Sequence, residues 1–76
     1  MNINDKKAVI AMPTMTAALR GESLLNSAGY FVHVIKLPAE STKKGCAYGL
    51  EVNSLFLTDA ARRLENAGIR HGELLS

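Results

Sequence analysis

The chain of 76 residues is poor in the residues that build covalent links and metal sites. It has one cysteine, two prolines and no tryptophan. A single cysteine excludes an internal disulfide and a zinc site made of several cysteines. The two histidines, His33 and His71, lie far apart without a recognisable third ligand, so no metal or other cofactor is predicted. A lone thiol is typical of a reducing compartment, which predicts a cytoplasmic location.

Charge of one sign and long apolar runs are also scarce. The chain has 9 Lys and Arg against 7 Asp and Glu, and aromatic residues make up 5%. A nucleic-acid binder of this size usually carries a denser basic stripe with interleaved aromatics, so no nucleic-acid partner is predicted. The longest apolar run has about 8 residues, against the roughly 20 that span a bilayer, so no membrane contact is predicted.

The size and composition predict one domain over residues 1–76, with a core from about 7 to 74. The composition, 47% hydrophobic and 21% charged, is typical of a soluble globular protein. A domain this small buries only about 60% of the surface that its unfolded chain exposes. Its core is therefore expected to be thin.

The first half of the chain shows strand, helix and strand patterns. The apolar run 7–12, closed by proline, predicts a buried strand. Apolar residues at helical spacing predict a helix over 15–28, begun by Thr14 or Thr16 as N-cap. Gly21 lies on its apolar stripe and predicts a close approach to the sheet. The β-branched and aromatic residues of 30–37 predict the second strand.

The second half repeats the pattern in a different order. Alternating residues over 46–52 predict a third strand. A helix is predicted to begin at Asn53 or Ser54 and to end at Gly68, followed by a weak final strand over 69–74. The order β-α-β-β-α-β predicts an α+β fold of the ferredoxin-like class: a four-stranded antiparallel sheet with two helices on one face.

The loop 37–46 holds the one cysteine and joins the second and third strands. A thiol reacts as its thiolate, which nearby cations and turn N–H groups favour. We therefore predict that Cys46 is exposed at the rim of the sheet and is the reactive group. The predicted supporting residues are Ser41, Thr42, Lys43, Lys44 and Gly45.

Two other interpretations of Cys46 stay open. Cysteine is among the residues most often buried, so Cys46 is equally interpretable as a small apolar residue packed at the start of a strand. A Cys–His pair for acyl transfer needs a third group that orients the histidine, and nothing in the sequence marks one.

Four stretches of the chain carry a resemblance to a known family: Ala18-Leu19-Arg20-Gly21-Glu22-Ser23-Leu24-Leu25, Ala28-Gly29, Ile35-Lys36-Leu37-Pro38 and the loop ending in Cys46. Together they resemble the Se/S carrier protein-like family, long classed as a domain of unknown function. The resemblance covers about residues 7–72 and implies a carrier of sulfur or selenium on one cysteine, which Cys46 matches. Two positions depart from the family pattern: Ala39 stands where the family has Arg, and Ala47 where it has Gly.

The sequence with this resemblance predicts a thiol-relay protein rather than an enzyme. Cys46 would accept a persulfide sulfur from a donor protein and pass it to an acceptor protein. The alternative is a non-catalytic interaction or regulatory module, a homodimer through the sheet face away from the helices. That alternative depends on four apolar residues expected on the open face: Phe31, Ile35, Leu50 and Val52.

Overall fold

The computed structural model of the protein describes residues 6–43 and 45–75. Within them the predicted order of strands and helices is confirmed. Two short 3-10 turns precede β3 and α2, at Ala39–Ser41 and Ser54–Phe56. The elements are β1 (Lys7–Met12), α1 (Met15–Ser27), β2 (His33–Lys36), β3 (Tyr48–Asn53), α2 (Leu57–Asn66) and β4 (Leu74–Leu75).

The four strands form one antiparallel sheet in the order β2-β3-β1-β4. Ile10 of β1 is in register with Leu50 of β3, which is in register with Val34 of β2. These three side chains pack in the core that the sheet shares with α1 and α2. The fold is therefore the predicted ferredoxin-like α+β sandwich.

Gly21 allows α1 to lie close to the sheet, as its position on the apolar stripe predicted. A Cβ built on Gly21 would lie 2.8 Å from Cδ1 of Leu50 and 3.1 Å from Cδ2 of Leu64. Both leucines are fully buried, so they have little room to move away. The start of α1 is also confirmed, because the Thr14 side chain accepts a hydrogen bond from the Ala17 N–H at 3.0 Å.

The second strand is shorter than the predicted 30–37 because α1 binds its first residues. The Val32 N–H donates to the Asn26 side chain at 3.1 Å, and the Tyr30 N–H donates to the Leu25 carbonyl at 2.9 Å. A side-chain amide that accepts a backbone N–H competes with the ladder of a sheet. The pairing of β2 therefore begins only at His33.

The other predicted boundaries shift at the ends of elements. β3 begins at Tyr48 rather than at position 46, and α2 begins at Leu57 after the 3-10 turn. The final strand is reduced to Leu74–Leu75. Gly72, just before β4, donates its N–H to the Ala11 carbonyl at 2.6 Å, so the chain already follows β1 there.

The predicted apolar set on the open face of the sheet is wrong for Leu50, Val52 and Phe31, whereas Ile35 alternates with the core residue Val34 and lies on the opposite face. Leu50 and Val52 are in register with Ile10 and Ala8 and are buried in the helix-facing core. Alternation along β3 requires this, since residues two apart share a face. Phe31 lies outside β2 and is 93% exposed.

The outer edge of β2 carries a side chain from α1. The Glu22 carboxylate accepts a hydrogen bond from the Val34 N–H at 3.1 Å. An edge strand with free N–H groups is a template for pairing with another chain. Glu22 therefore occupies one of the pairing positions of this edge.

Candidate functional site around Cys46

Three segments meet at one end of the sheet, and Cys46 lies among them. β1 is antiparallel to both β3 and β4, so its carboxyl end adjoins the start of each. Hydrogen bonds hold the approach to β4 against β1: the Ala11 N–H donates to the Glu73 carbonyl at 2.8 Å. This end of the sheet therefore gathers Pro13, Cys46 and residues 68–73.

The loop before β3 is closed around Thr42. The Thr42 hydroxyl oxygen accepts the Cys46 N–H at 2.7 Å, and the Thr42 carbonyl accepts the Gly45 N–H at 3.2 Å. Gly45 has a φ of 69°, a left-handed conformation that glycine adopts without strain. The Leu37 N–H donates to the Ala47 carbonyl at 2.8 Å. These contacts fix the backbone on both sides of Cys46.

Cys46 is less exposed than predicted, with 8% of its surface accessible. Its sulfur borders Gly72, since a Cβ built on Gly72 would lie 3.4 Å from Sγ. The prediction of an exposed cysteine assumed an open loop. In the structure the loop closes on Thr42, which is itself 7% exposed, and this closure reduces the exposure of Cys46. The thiol is recessed and not displayed at the rim.

Two clefts nevertheless open beside Cys46. The larger has a volume of about 600 Å³ and the smaller about 340 Å³. Both are lined by polar and charged residues together with Cys46, so the cysteine is not enclosed by aliphatic side chains alone. The larger is lined by Pro13, Glu65, Gly68, Ile69, Arg70, His71 and Gly72, and the smaller by Thr42, Lys43, His71, Gly72 and Glu73.

His71 lines both clefts and is held by two acceptors. Its Nε2 lies 2.8 Å from Oε2 of Glu65, and its Nδ1 lies 2.8 Å from the carbonyl oxygen of Gly72. The His71 side chain is 15% exposed. The sequence marks no group that orients a histidine, and in the structure Glu65 holds His71, which shares both clefts with Cys46.

The predicted supporting residues divide into two groups. Thr42, Lys43 and Gly45 lie at the site or adjoin it, and the Lys43 N–H donates to the Glu73 carboxylate at 2.9 Å. Ser41 is exposed in the 3-10 turn and lines neither cleft. Lys44 lies outside the described residues.

The sequence interpretation missed Glu65 and His71 as neighbours of Cys46. They are distant from it along the chain, and no motif spacing marks them. In the observed strand order, the start of β4 lies beside the end of β1, and the end of β1 lies beside the start of β3. Polar residues just before two such strands are the signal that points to a shared site.

Two features, a metal site and a membrane-spanning helix, can be looked for in the described residues. Over 6–43 and 45–75, no group of three or more His, Cys, Asp or Glu side chains could hold a metal ion. Neither helix in the same residues has the length and apolar character needed to cross a bilayer.

The fold and the site define a small α+β protein with a single cysteine recessed between two clefts that have both polar and apolar lining. The family model "Putative Se/S carrier protein-like" matches residues 7–76, so the chain belongs to that family. Comparisons with the curated proteins and with the solved structures find no match.

Proposed function

We propose that this protein carries sulfur or selenium on Cys46 between a donor protein and an acceptor protein in the cytoplasm. The observation that supports the proposal most directly is the position of the one cysteine, bordered by two clefts that also hold charged side chains, in a chain of the Se/S carrier protein-like family. The protein is then a relay rather than an enzyme with its own small-molecule substrate.

The transfer is an exchange of one sulfur–sulfur bond for another. The Cys46 thiolate attacks the outer sulfur of a donor cysteine persulfide, the donor bond breaks, and the donor cysteine leaves as a thiolate. Cys46 then carries the outer sulfur as its own persulfide until an acceptor thiolate attacks in the same way. No outside oxidant or reductant is needed, and selenium follows the same course through a sulfur–selenium bond.

The absence of a second cysteine fits this exchange. A neighbouring thiol in the same chain would attack the inner sulfur, release the cargo as sulfide and leave a disulfide. This chain has no other thiol, so a persulfide on Cys46 is lost only to molecules that enter the clefts.

The loop residues support the thiol in different ways in this proposal. Thr42 and Gly45 hold the backbone of the cysteine, and Lys43 places a cation on the cleft that Cys46 shares. Positive charge near a thiol favours the reactive thiolate. Ser41, which is exposed, is proposed to meet the donor or acceptor, and Lys44, outside the described residues, stays a predicted supporting residue.

Intact mass after incubation with a cysteine desulfurase and cysteine tests the proposal. We expect a gain of about 32 Da, one sulfur atom, that dithiothreitol removes by thiol exchange. Cys46→Ser supplies the matched control and should show no gain. A native protein that stays unmodified while the desulfurase itself carries persulfide would refute the proposal.

A homodimeric, non-catalytic module is the second candidate function, and exposed apolar residues favour it. Phe31 is 93% exposed, and Leu55 and Phe56 are also exposed. Phe31 and Phe56 line one cleft with Tyr30, whose ring meets the Phe56 ring edge to face at a centroid distance of 5.8 Å. A second copy of the chain would cover these rings.

Sedimentation equilibrium separates this candidate from the relay. A dimer that Phe31→Ser dissociates and Cys46→Ser leaves intact would support the module. A native chain that stays monomeric at all concentrations would rule out the homodimeric module. The two variants thus assign the apolar cleft and the thiol to separate functions.

A further inference from the structure

Both ring nitrogens of His71 face hydrogen-bond acceptors. One partner is a carboxylate oxygen of Glu65 and the other the Gly72 carbonyl oxygen, each at 2.8 Å. A neutral imidazole has one N–H and can donate to only one of them, whereas an imidazolium donates to both. The arrangement therefore suits a ring that carries two protons and a positive charge.

We propose that His71 is a positioning residue of the Cys46 site. Its protonated ring supplies a positive charge that stabilises the Cys46 thiolate and the persulfide anion. The proposal deepens the proposed function and rests on it for its biological meaning. It stands on the shared clefts, the burial of His71 and its two acceptors. The electrostatic effect of a nearby cation is strong where water is partly excluded.

The same geometry argues against His71 as the base that removes the thiol proton. A base needs a nitrogen lone pair directed at that proton. Both nitrogens of His71 are directed at oxygen atoms instead. His71 therefore acts on Cys46 through its charge, and this distinguishes the site from a Cys–His pair for acyl transfer.

The other charged groups around the clefts do not reproduce this arrangement. Glu65 comes from α2 and contacts His71, while Glu73 accepts the Lys43 N–H. Lys43 and Arg70 line one cleft each and are exposed. Among these described groups, His71 is the one that lines both clefts, and its side chain is 15% exposed.

The rate of Cys46 alkylation by iodoacetamide, followed by intact mass from about pH 6 to about pH 10.5, tests the proposal. At pH 7, His71→Gln should slow alkylation by about three- to tenfold, because fewer thiols are ionised without the cation. At the alkaline end the two rates should converge, since both thiols are then ionised. His71→Lys, which keeps a cation, should recover most of the rate at pH 7.

His33→Gln is the matched control. His33 also pairs with a glutamate, its Nε2 2.9 Å from Oε1 of Glu51, but it is exposed and lines neither cleft of Cys46. Its loss should leave the profile unchanged. A His71→Gln profile that matches the native one, or that changes by one factor at every pH, would overturn the proposal. The second result would indicate altered access to the sulfur rather than altered charge.

This measurement separates the proposal from the proposed function. Alkylation requires no sulfur donor, so a shifted profile with no persulfide loading would reject the carrier role and retain the role of His71. Persulfide loading with an unshifted alkylation profile would retain the carrier role and reject the role of His71.

Discussion

Thr42→Val is the sharpest test of how the loop holds Cys46. Valine has nearly the shape of threonine but lacks the oxygen that accepts the Cys46 N–H at 2.7 Å. Both residues are buried, so water cannot readily replace that acceptor. A buried donor left without a partner costs about 1–3 kcal/mol.

That cost is a large share of the stability expected for this chain. Small proteins have about 0.05–0.15 kcal/mol of unfolding free energy per residue, or roughly 4–11 kcal/mol for 76 residues. We therefore expect Thr42→Val to lower the unfolding free energy by about 2 kcal/mol. Urea unfolding followed by circular dichroism measures it.

Two controls isolate the lost hydrogen bond. Thr42→Ser keeps the hydroxyl and loses one methyl group, which costs about 1 kcal/mol. Thr58→Val makes the same chemical change at an exposed position of α2 and should shift stability by less than about 0.5 kcal/mol. If Thr42→Val proves as stable as Thr58→Val, the hydrogen bond does not hold the loop and the reasoning fails.

Three further predictions concern the fold and access to the site. Gly21→Ala should destabilise the protein by about 1 kcal/mol in urea unfolding, because overpacking against Leu50 outweighs the gain in helix propensity; an increase in stability, as expected for the exposed Ser23→Ala, would contradict this. Glu22→Ala should speed hydrogen exchange of the Val34 amide several-fold, since it removes the acceptor at 3.1 Å; unchanged exchange would contradict it. A bulky maleimide should label Cys46 at least about tenfold more slowly than iodoacetamide, relative to the same reagents on urea-unfolded protein; equal ratios would contradict the recessed position.

Local patterns in the sequence were enough to predict much of the fold. The β1 run, the helical stripe of α1 and the Thr14 cap depend on neighbours within a few residues. The strand order then followed from the number and type of elements. These features are confirmed because short-range spacing and capping decide them.

The errors come from contacts between distant segments. The start of β2 was misplaced because the Asn26 side chain accepts the Val32 N–H, and no strand pattern in 30–37 shows that competition. Leu50 was predicted on the open face because alternation along β3 groups it with Val52 but does not show which face of the sheet meets the helices. Once Leu50 is in register with Ile10, its place in the core is required.

The candidate site shows the same division between local and distant contacts. Cys46 and its loop are local features of the sequence, and in the structure Thr42, Lys43 and Gly45 lie beside Cys46 or adjoin it. His71 reaches the cysteine only through the antiparallel pairing of residues near β4 with β1. A prediction of the site therefore needs the topology applied to the residues just outside each strand.

In the proposed relay, the recessed position of Cys46 affects the two transfer steps differently. Loading requires Sγ, on a residue that is 8% exposed, to reach the outer sulfur of the donor persulfide, so the donor segment must enter a cleft. Onward transfer requires the acceptor thiolate to reach only the outer sulfur, which would lie about 2 Å beyond Sγ. The cleft walls, which include Pro13 and Gly72, would then limit attack on the inner sulfur, which releases the cargo as sulfide. Under this proposal, burial of Cys46 would favour onward transfer over loss, provided that the donor and acceptor present their thiols on segments narrow enough to enter the cleft.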